Sequence, residues 1–124
     1  MRVVTAEGLD WESDQNPSTA VIHSEKLGDQ ELRIEMVEVR PGDFVPPHRH
    51  ARRREFFSVA YSAGAQMQIG ERIFRPIAGQ VFEREAGEVL AITNDTKHPL
   101  RLMITRIGYD PNDIEWLNPV ESEG

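Results

Sequence analysis

The chain has 124 residues, of which 28% are charged and 39% hydrophobic, and its formal net charge is −7 at pH 7. This composition is typical of a globular protein, and the length predicts one domain over residues 1–124. The negative charge argues against nucleic acid or an anionic membrane as a partner, and the absence of cysteine excludes disulfides, thiolate metal sites and cysteine nucleophiles.

The N-terminal residues do not have the pattern of a targeting segment. Residues 1–8 lack the apolar core of a signal peptide, and no stretch approaches the roughly 20 apolar residues that span a bilayer. The sequence therefore predicts a cytoplasmic protein.

The segment at residues 31–36 reads Glu-Leu-Arg-Ile-Glu-Met and alternates polar with apolar side chains. A period of two is the pattern of a strand with one buried and one solvated face. Val37 and Val39 then place apolar side chains in the opposite phase, which indicates either a β-bulge or a strand covered on both faces.

Short β-prone runs continue along the chain at residues 55–61, 65–69, 73–74, 81–82, 89–93 and 100–107. Glycines and an Asn-Asp pair separate these runs at a spacing of roughly 8–12 residues, which predicts an all-β sandwich or barrel. Near the end, Asp110 is a suitable N-cap and Pro111 a suitable first helical residue. The sequence therefore predicts a short C-terminal helical turn.

The stretch from Gly42 to Glu55 contains a candidate metal site. On an extended chain His48 and His50 point to the same face, and Glu55 can join them from the next strand. Two imidazoles and one carboxylate suit a divalent metal ion such as Fe, Mn, Ni or Zn and leave positions open for water or substrate. The alternative is that both histidines lie at the rim of an arginine-rich turn, with Glu55 as their salt-bridge partner.

This stretch resembles the first conserved motif of the cupin superfamily. In that motif a Gly is followed after five residues by His-x-His and, after three or four more, by Glu; Gly42, His48, His50 and Glu55 match it. The family motif has another Gly seven residues after the Glu. This chain has Ser62 there, which indicates an altered turn.

Residues 70–94 resemble the second cupin motif. Its spacing landmarks are present as Gly70, Pro76, Gly79, Gly87 and Asn94. The position of the family's fourth metal ligand, a histidine, is Leu90 in this chain. The resemblance implies an all-β fold, an antiparallel double-stranded jelly-roll β-barrel (cupin) over roughly residues 31–107.

The replacement of the fourth ligand by Leu90 leaves two interpretations of the site. In the first, a divalent ion keeps His48, His50 and Glu55 and about three open positions, the arrangement of non-haem iron oxygenases. In the second, Leu90 is apolar wall in a metal-free pocket.

Other residues are candidates for contact with a ligand. Arginines concentrate beside the predicted metal ligands, where they either pair with acidic neighbours or bind a substrate carboxylate or phosphate. The candidate substrate contacts are Arg52, Arg54, Phe57 and Leu90. Tyr61 and Gln66 are candidates for proton transfer or substrate orientation.

We therefore expect a metal-dependent enzyme acting on a small organic metabolite, of the oxygenase, isomerase, cyclase or lyase type. The alternative is a non-catalytic small-molecule-binding cupin, metal-free because of Leu90. The resemblance also implies a homodimer, since small cupins commonly pair through sheet edges. Val3-Val4 and residues 20–22, Ala-Val-Ile, are the apolar edge-strand candidates.

Overall fold

The computed structural model describes residues 1–117, in which ten β-strands follow a short 3-10 helix at Ala6–Gly8. In chain order the strands are β1 Ser18–Leu27, β2 Gln30–Val39, β3 Phe44–Arg49, β4 Arg54–Tyr61, β5 Gln66–Ile69, β6 Arg72–Phe74, β7 Val81–Arg84, β8 Leu90–Thr93, β9 Leu100–Ile107 and β10 Glu115–Trp116. Within this part of the chain, no helix is long and apolar enough to cross a membrane.

The strands form two five-stranded sheets. The first has the order β1-β2-β9-β4-β7 and the second the order β10-β3-β8-β5-β6. All pairings between strands are antiparallel, for example β2 with β9 and β3 with β8. The expected all-β jelly-roll architecture is therefore confirmed.

The register and burial of β2 explain why its apolar residues change phase at Val37. It pairs with β9 in unbroken register from Leu32 to Val39, so the change is not a bulge. Glu35, Val37 and Val39 are buried on the inner face of the sheet, and alternation puts Arg33 on that face too. The apolar residues of the 31–36 segment therefore face outward, where they are only partly buried.

The core fills the space between the two sheets with alternate residues of the inward-facing strands. It contains Val37, Val39, Val45, Phe57, Val59, Ala65, Met67, Ile69, Leu90, Ile92, Leu100, Leu102 and Ile104. Phe57 is 0% exposed in this cluster. Its burial of apolar area stabilises the fold, and its side chain presents no surface to solvent.

The predicted C-terminal helical turn is wrong. The Asn112 backbone N–H donates to Oδ1 of Asp110 at 2.9 Å, as at a helix N-cap, but only a turn follows. Glu115 and Trp116 then pair with Arg49 and His48 and form β10. Pairing with the edge of β3 replaces the hydrogen bonds that a helix would have formed.

Candidate functional site

A row of charged side chains crosses the inner face of the first sheet at one end of the barrel. Register places Arg33 of β2 opposite Arg106 of β9. It also places Glu55 of β4 opposite both Arg106 and Arg84 of β7. Directly opposed residues of antiparallel strands share a face and lie close together. We call these four residues, Arg33, Arg106, Glu55 and Arg84, the charged row.

Glu55 is the one acidic member of the charged row and is 0% exposed. Its Oε1 accepts from Nη1 of Arg84 at 2.8 Å, and its Oε2 accepts from Nη1 of Arg53 at 3.3 Å and from Nη1 of Arg106. Burial alone raises the pKa of the Glu55 carboxyl, but Arg106, Arg84 and Arg53 together lower it to about 2. Glu55 is therefore a carboxylate enclosed by three guanidinium groups.

Arg84 is a structural member of the row. Its Nε donates to the carbonyl of Glu88 at 3.0 Å and its Nη2 to the carbonyl of His48 at 2.9 Å, in addition to its bond to Glu55. Arg84 therefore ties β7 and β4 to β3 of the facing sheet, and its side chain is 2% exposed.

His50 is neutral and already bonded on both ring nitrogens. Because a carbonyl only accepts, Nδ1 carries the proton and donates to the Asp113 carbonyl at 2.5 Å, and Nε2 accepts from Nη1 of Arg53 at 3.2 Å. Burial lowers the pKa of His50 to about 4, although the bond to Asp113 acts in the opposite direction.

His48 faces the same interior from the second sheet. Its Nδ1 donates to the Pro46 carbonyl at 2.8 Å, which leaves Nε2 as the acceptor. Burial lowers the pKa of His48 as well. Its ring lies 5.3 Å from that of His50 and 4.8 Å from that of Trp116, between ring centroids. Its cross-strand neighbour is Leu90, which is 5% exposed and lines the barrel.

The arrangement of these groups tests whether a metal ion fits. An ion would need Nε2 of both histidines and one Glu55 oxygen to converge on one point. Instead, Nη1 of Arg53 lies between His50 and Glu55 and donates to both. Among residues 1–117, no group of three or more His, Asp or Glu side chains is placed to hold an ion. The predicted ligands, in this arrangement, do not fit a metal.

The segment after β9 closes this end of the barrel. Gly108, with φ of +80°, lets the chain turn close to Arg52, and Tyr109 then lies under two guanidinium groups. The guanidinium carbons of Arg33 and Arg53 are 4.4 and 4.8 Å from the centre of the Tyr109 ring. The Asp113 carboxylate accepts from the backbone N–H groups of residues 51–53 at 2.8–3.2 Å. This segment therefore fixes the loop that carries Arg53.

A cavity of about 380 Å³ lies against the charged row and the His48 end of the second sheet. Its polar lining includes Arg33, Glu35, Arg53, Arg106, His48 and His50. Its apolar lining includes Val37, Leu90, Ile92 and Trp116. The volume is in the range of small-molecule sites, which combine an apolar wall with a few polar groups.

The structure brings only some of the predicted site residues together. His48, His50 and Leu90 line the cavity, and Glu55 lies beneath it. Arg52 and Arg54 are exposed outside it; Arg54 lies over the Phe56 ring, with its guanidinium 5.6 Å from the ring centre. Phe57 is core, and Tyr61 and Gln66 do not line the cavity.

Several residues that build the site were not predicted from the sequence: Arg33, Glu35, Arg84, Arg106, Tyr109 and Trp116. A signal for three of them was present. Arg33 and Glu35 share the phase of Val37 and Val39, and Arg106 shares that of Leu100, Leu102 and Ile104. Charged residues in the inward phase of a strand are expected to be paired and to belong to a site.

Comparisons with known proteins identify the fold. No protein-family model and no curated protein matches the sequence. Solved structures do match. The polyketide cyclase RemF from Streptomyces resistomycificus has a TM-score of 0.78 at 15% identity, covering 98% of this chain and 88% of that one. The cupin domain of Cnp3 from Schizosaccharomyces pombe has a TM-score of 0.73 at 18% identity, covering 86% and 74%.

A third match, the oxalate decarboxylase of Lactobacillus farciminis in its formate complex, has a TM-score of 0.65 at 16% identity and covers 90% of this chain and 34% of that one. These similarities agree with the strand order and the two antiparallel sheets. They also agree with the motif residues Gly42, His48, His50 and Glu55. The chain therefore has the double-stranded β-helix fold of the cupin superfamily.

Proposed function

We propose that the chain binds a small organic molecule in its barrel cavity without using a metal ion. The observation that carries the proposal is the position of Arg53. Its guanidinium donates to His50 and Glu55, the two groups that an ion would otherwise join. A positive charge already neutralises Glu55 at this point, so an ion would have to displace a buried salt bridge.

The apolar half of the cavity supports a ligand with hydrocarbon surface. Leu90, where the family motif has its fourth ligand, is cross-strand partner to both His48 and Ile69 and belongs to the core cluster. Trp116 is 53% exposed at the other side of His48. A ligand that covered Trp116 and Leu90 would gain roughly 25 cal/mol for each Å² of apolar area removed from water.

The solved structures with this fold support a small organic ligand. One of them is a polyketide cyclase, and another is a decarboxylase solved with formate. A shared fold does not carry an activity from one protein to another. We therefore propose binding of a small molecule and not a particular reaction.

The predicted metal-dependent enzyme remains the second candidate. It is favoured by the two histidine rings, which lie 5.3 Å apart on one wall with Nε2 of His48 available as an acceptor. A divalent Fe, Mn, Ni or Zn ion would supply Lewis-acid or oxygen chemistry there. It stays a prediction, because Arg53 would first have to leave the position between His50 and Glu55.

Elemental analysis and ligand screening of the untagged protein test the proposal. We expect no near-stoichiometric metal in the wild type or in a His48→Ala/His50→Ala variant. Ligand-observed NMR in the presence of a chelator should then find small molecules that bind the metal-depleted protein. Near-stoichiometric metal that disappears in the double variant would contradict the proposal and support the metalloenzyme.

A matched pair of variants locates the binding. Leu90→Phe adds volume inside the cavity and should abolish binding, whereas Ile73→Phe changes a 62% exposed position on β6 and should leave it intact. Circular dichroism verifies that both variants fold. If both variants lost ligand binding equally, or neither lost it, the molecule would bind outside this cavity.

A further inference from the structure

We infer that the ligand of this cavity is an organic anion, whose carboxylate or phosphonate-type head binds to Arg53, Arg33 and Arg106 and whose apolar body lies against Leu90, Ile92 and Trp116. The inference rests on the proposed function and adds the chemical class of the ligand. It depends on the charge of the cavity wall and on donor atoms that the protein itself does not use.

The charge of the site is positive in an otherwise acidic chain. Four arginines, Arg33, Arg53, Arg84 and Arg106, are joined by ion pairs to only two glutamates, Glu35 and Glu55. Two positive charges are therefore left over. The remaining acidic residue of the lining, Glu12, is exposed and belongs to the N-terminal segment.

Buried arginines of like sign repel one another, and their separation here is short. Arg106 and Arg53 donate to the same oxygen of Glu55, and Arg33 lies directly across the strand pair from Arg106. A negative charge placed among these groups would relieve that repulsion, since Coulomb forces are strong where water is excluded.

Unused donor atoms point to the same conclusion. Arg106 donates through Nε to Glu35 and through Nη1 to Glu55, but its Nη2 donates to no described residue. Neither Nη atom of Arg33 donates to a described residue, and none of these three atoms is among the buried unpartnered ones. Both arginines line the cavity, so these donors can reach an acceptor there. An oxyanion offers several acceptors at once.

The geometry selects Arg33, Arg53 and Arg106 rather than the whole row. Each of the three guanidinium nitrogens of Arg84 already donates a hydrogen bond, to Glu55, Glu88 or His48, and Arg84 does not line the cavity. The other three arginines line the cavity. Guanidinium groups match planar carboxylates and tetrahedral oxyanions through paired hydrogen bonds. The apolar wall then requires that the anion carry hydrocarbon, which excludes inorganic anions as the best ligands.

A matched ligand series tests the inference. The probes are hexanoate and phenylacetate, each beside its corresponding alcohol and amine, with benzylphosphonate as the tetrahedral anion. Affinities are measured by NMR titration in a chelator, at low and at high salt. We expect the anions to bind at least about tenfold more tightly than the alcohols, and the amines not to bind. Anion affinity should fall as salt rises.

Two variants and a control assign the head-group contacts. Arg33→Met leaves the Glu55 cluster intact and should weaken anion binding about tenfold while leaving alcohol binding unchanged. Arg53→Met removes one of the three donors to Glu55 and should also weaken anion binding about tenfold. Arg75→Met removes an equally long, half-exposed arginine that pairs with Asp95 outside the cavity and should have no effect. The preferred anion, phenylacetate or benzylphosphonate, distinguishes the two head groups.

The possible failures are distinct. If alcohols or amines bind as tightly as their acids, the binding pocket stands and the anion inference is overturned. If Arg33→Met and Arg53→Met both bind anions as the wild type does, the anion site lies elsewhere and the inference fails. If no acid, alcohol or amine binds the folded, metal-depleted protein, the inference and the proposed function fail together.

Discussion

The guanidinium of Arg53 joins groups from two parts of the barrel. One nitrogen, Nη1, lies 3.2 Å from Nε2 of His50 and 3.3 Å from Oε2 of Glu55, and Nη2 donates to the Asp110 carbonyl at 3.2 Å. A guanidinium carries one charge and directed donors, whereas a divalent ion carries two and accepts electron pairs from its ligands. Arg53 can therefore hold the same two side chains together but cannot supply Lewis-acid chemistry.

Removal of Arg53 should create a metal site. In Arg53→Ala, Nε2 of His50 and Oε2 of Glu55 lose their shared donor. Both histidines are then open to an ion, which would share the Glu55 carboxylate with Arg106 and Arg84. We expect Zn²⁺ or Ni²⁺ binding in calorimetry of the untagged variant, strengthened further in Arg53→Ala/Leu90→His. Arg54→Ala, at a half-exposed neighbour paired at 4.0 Å with Glu83, is the control. Equal metal affinity in wild type and variant would contradict this role of Arg53.

Glu55 should be essential to stability, because its loss leaves three buried arginines without their shared counter-charge. Breaking a buried ion pair by removal of one partner typically costs about 3–5 kcal/mol. We expect Glu55→Gln to lower the free energy of unfolding by this amount, as measured by urea denaturation. Glu83→Gln, the control on β7, changes a 45% exposed carboxylate and should have an effect below about 0.5 kcal/mol. Similar losses in the two variants would refute the prediction.

At the scale of elements, the short strand β10 and the turn before it decide the shape of the cavity. Asp113 binds the loop between β3 and β4 with its carboxylate, and its carbonyl fixes the His50 ring. Trp116 pairs with His48, and the Leu117 N–H donates to the Pro47 carbonyl at 2.9 Å. A segment of eight residues, 110–117, thus aligns both histidine-bearing positions.

Asp113→Ala should loosen this end of the barrel. Three backbone N–H groups lose their acceptor, and because they are partly solvated we expect a loss of about 1–2 kcal/mol in the free energy of unfolding. Amide hydrogen exchange should quicken in residues 51–53 and not in the core strands. Asp95→Ala, which removes a half-exposed pair with Arg75, is the control and should change neither measurement. Unchanged exchange at residues 51–53 would contradict the prediction.

Local pattern predicted the strands because alternation and glycine spacing depend on short-range geometry. The same pattern gave a wrong helical turn after Asp110, because a capping side chain looks the same in sequence whether a helix or a turn follows. The pairing of Glu115 with Arg49 is a tertiary contact, which local pattern does not contain. The motif located His48, His50, Glu55 and Leu90 on the barrel interior. The motif could not show that Arg106 and Arg84 contact Glu55, because these contacts depend on the register of three strands distant in sequence. The phase of β9 indicated only that Arg106 faces inward.

At the scale of the whole molecule, the two edge strands of the first sheet differ in length. β1 is ten residues long and lies at one edge, and β7, with four residues, lies at the other. A long edge strand presents unpaired backbone groups, and apolar side chains on it favour association with a second copy. Val21, at 42% exposure, and Leu27, at 51%, are apolar residues of β1 that contact solvent.

The expected homodimer should therefore form through β1. Multi-angle light scattering on the wild-type protein should give twice the chain mass of 14.1 kDa at micromolar concentration. Val21→Lys places a charge on that edge and should give a monomer, because charged edge residues block strand pairing. Val81→Lys makes the same change on β7, where Val81 is 65% exposed, and should remain a dimer. A monomeric wild type would refute the dimer itself. Loss of the dimer only in Val81→Lys would indicate that the interface lies on β7.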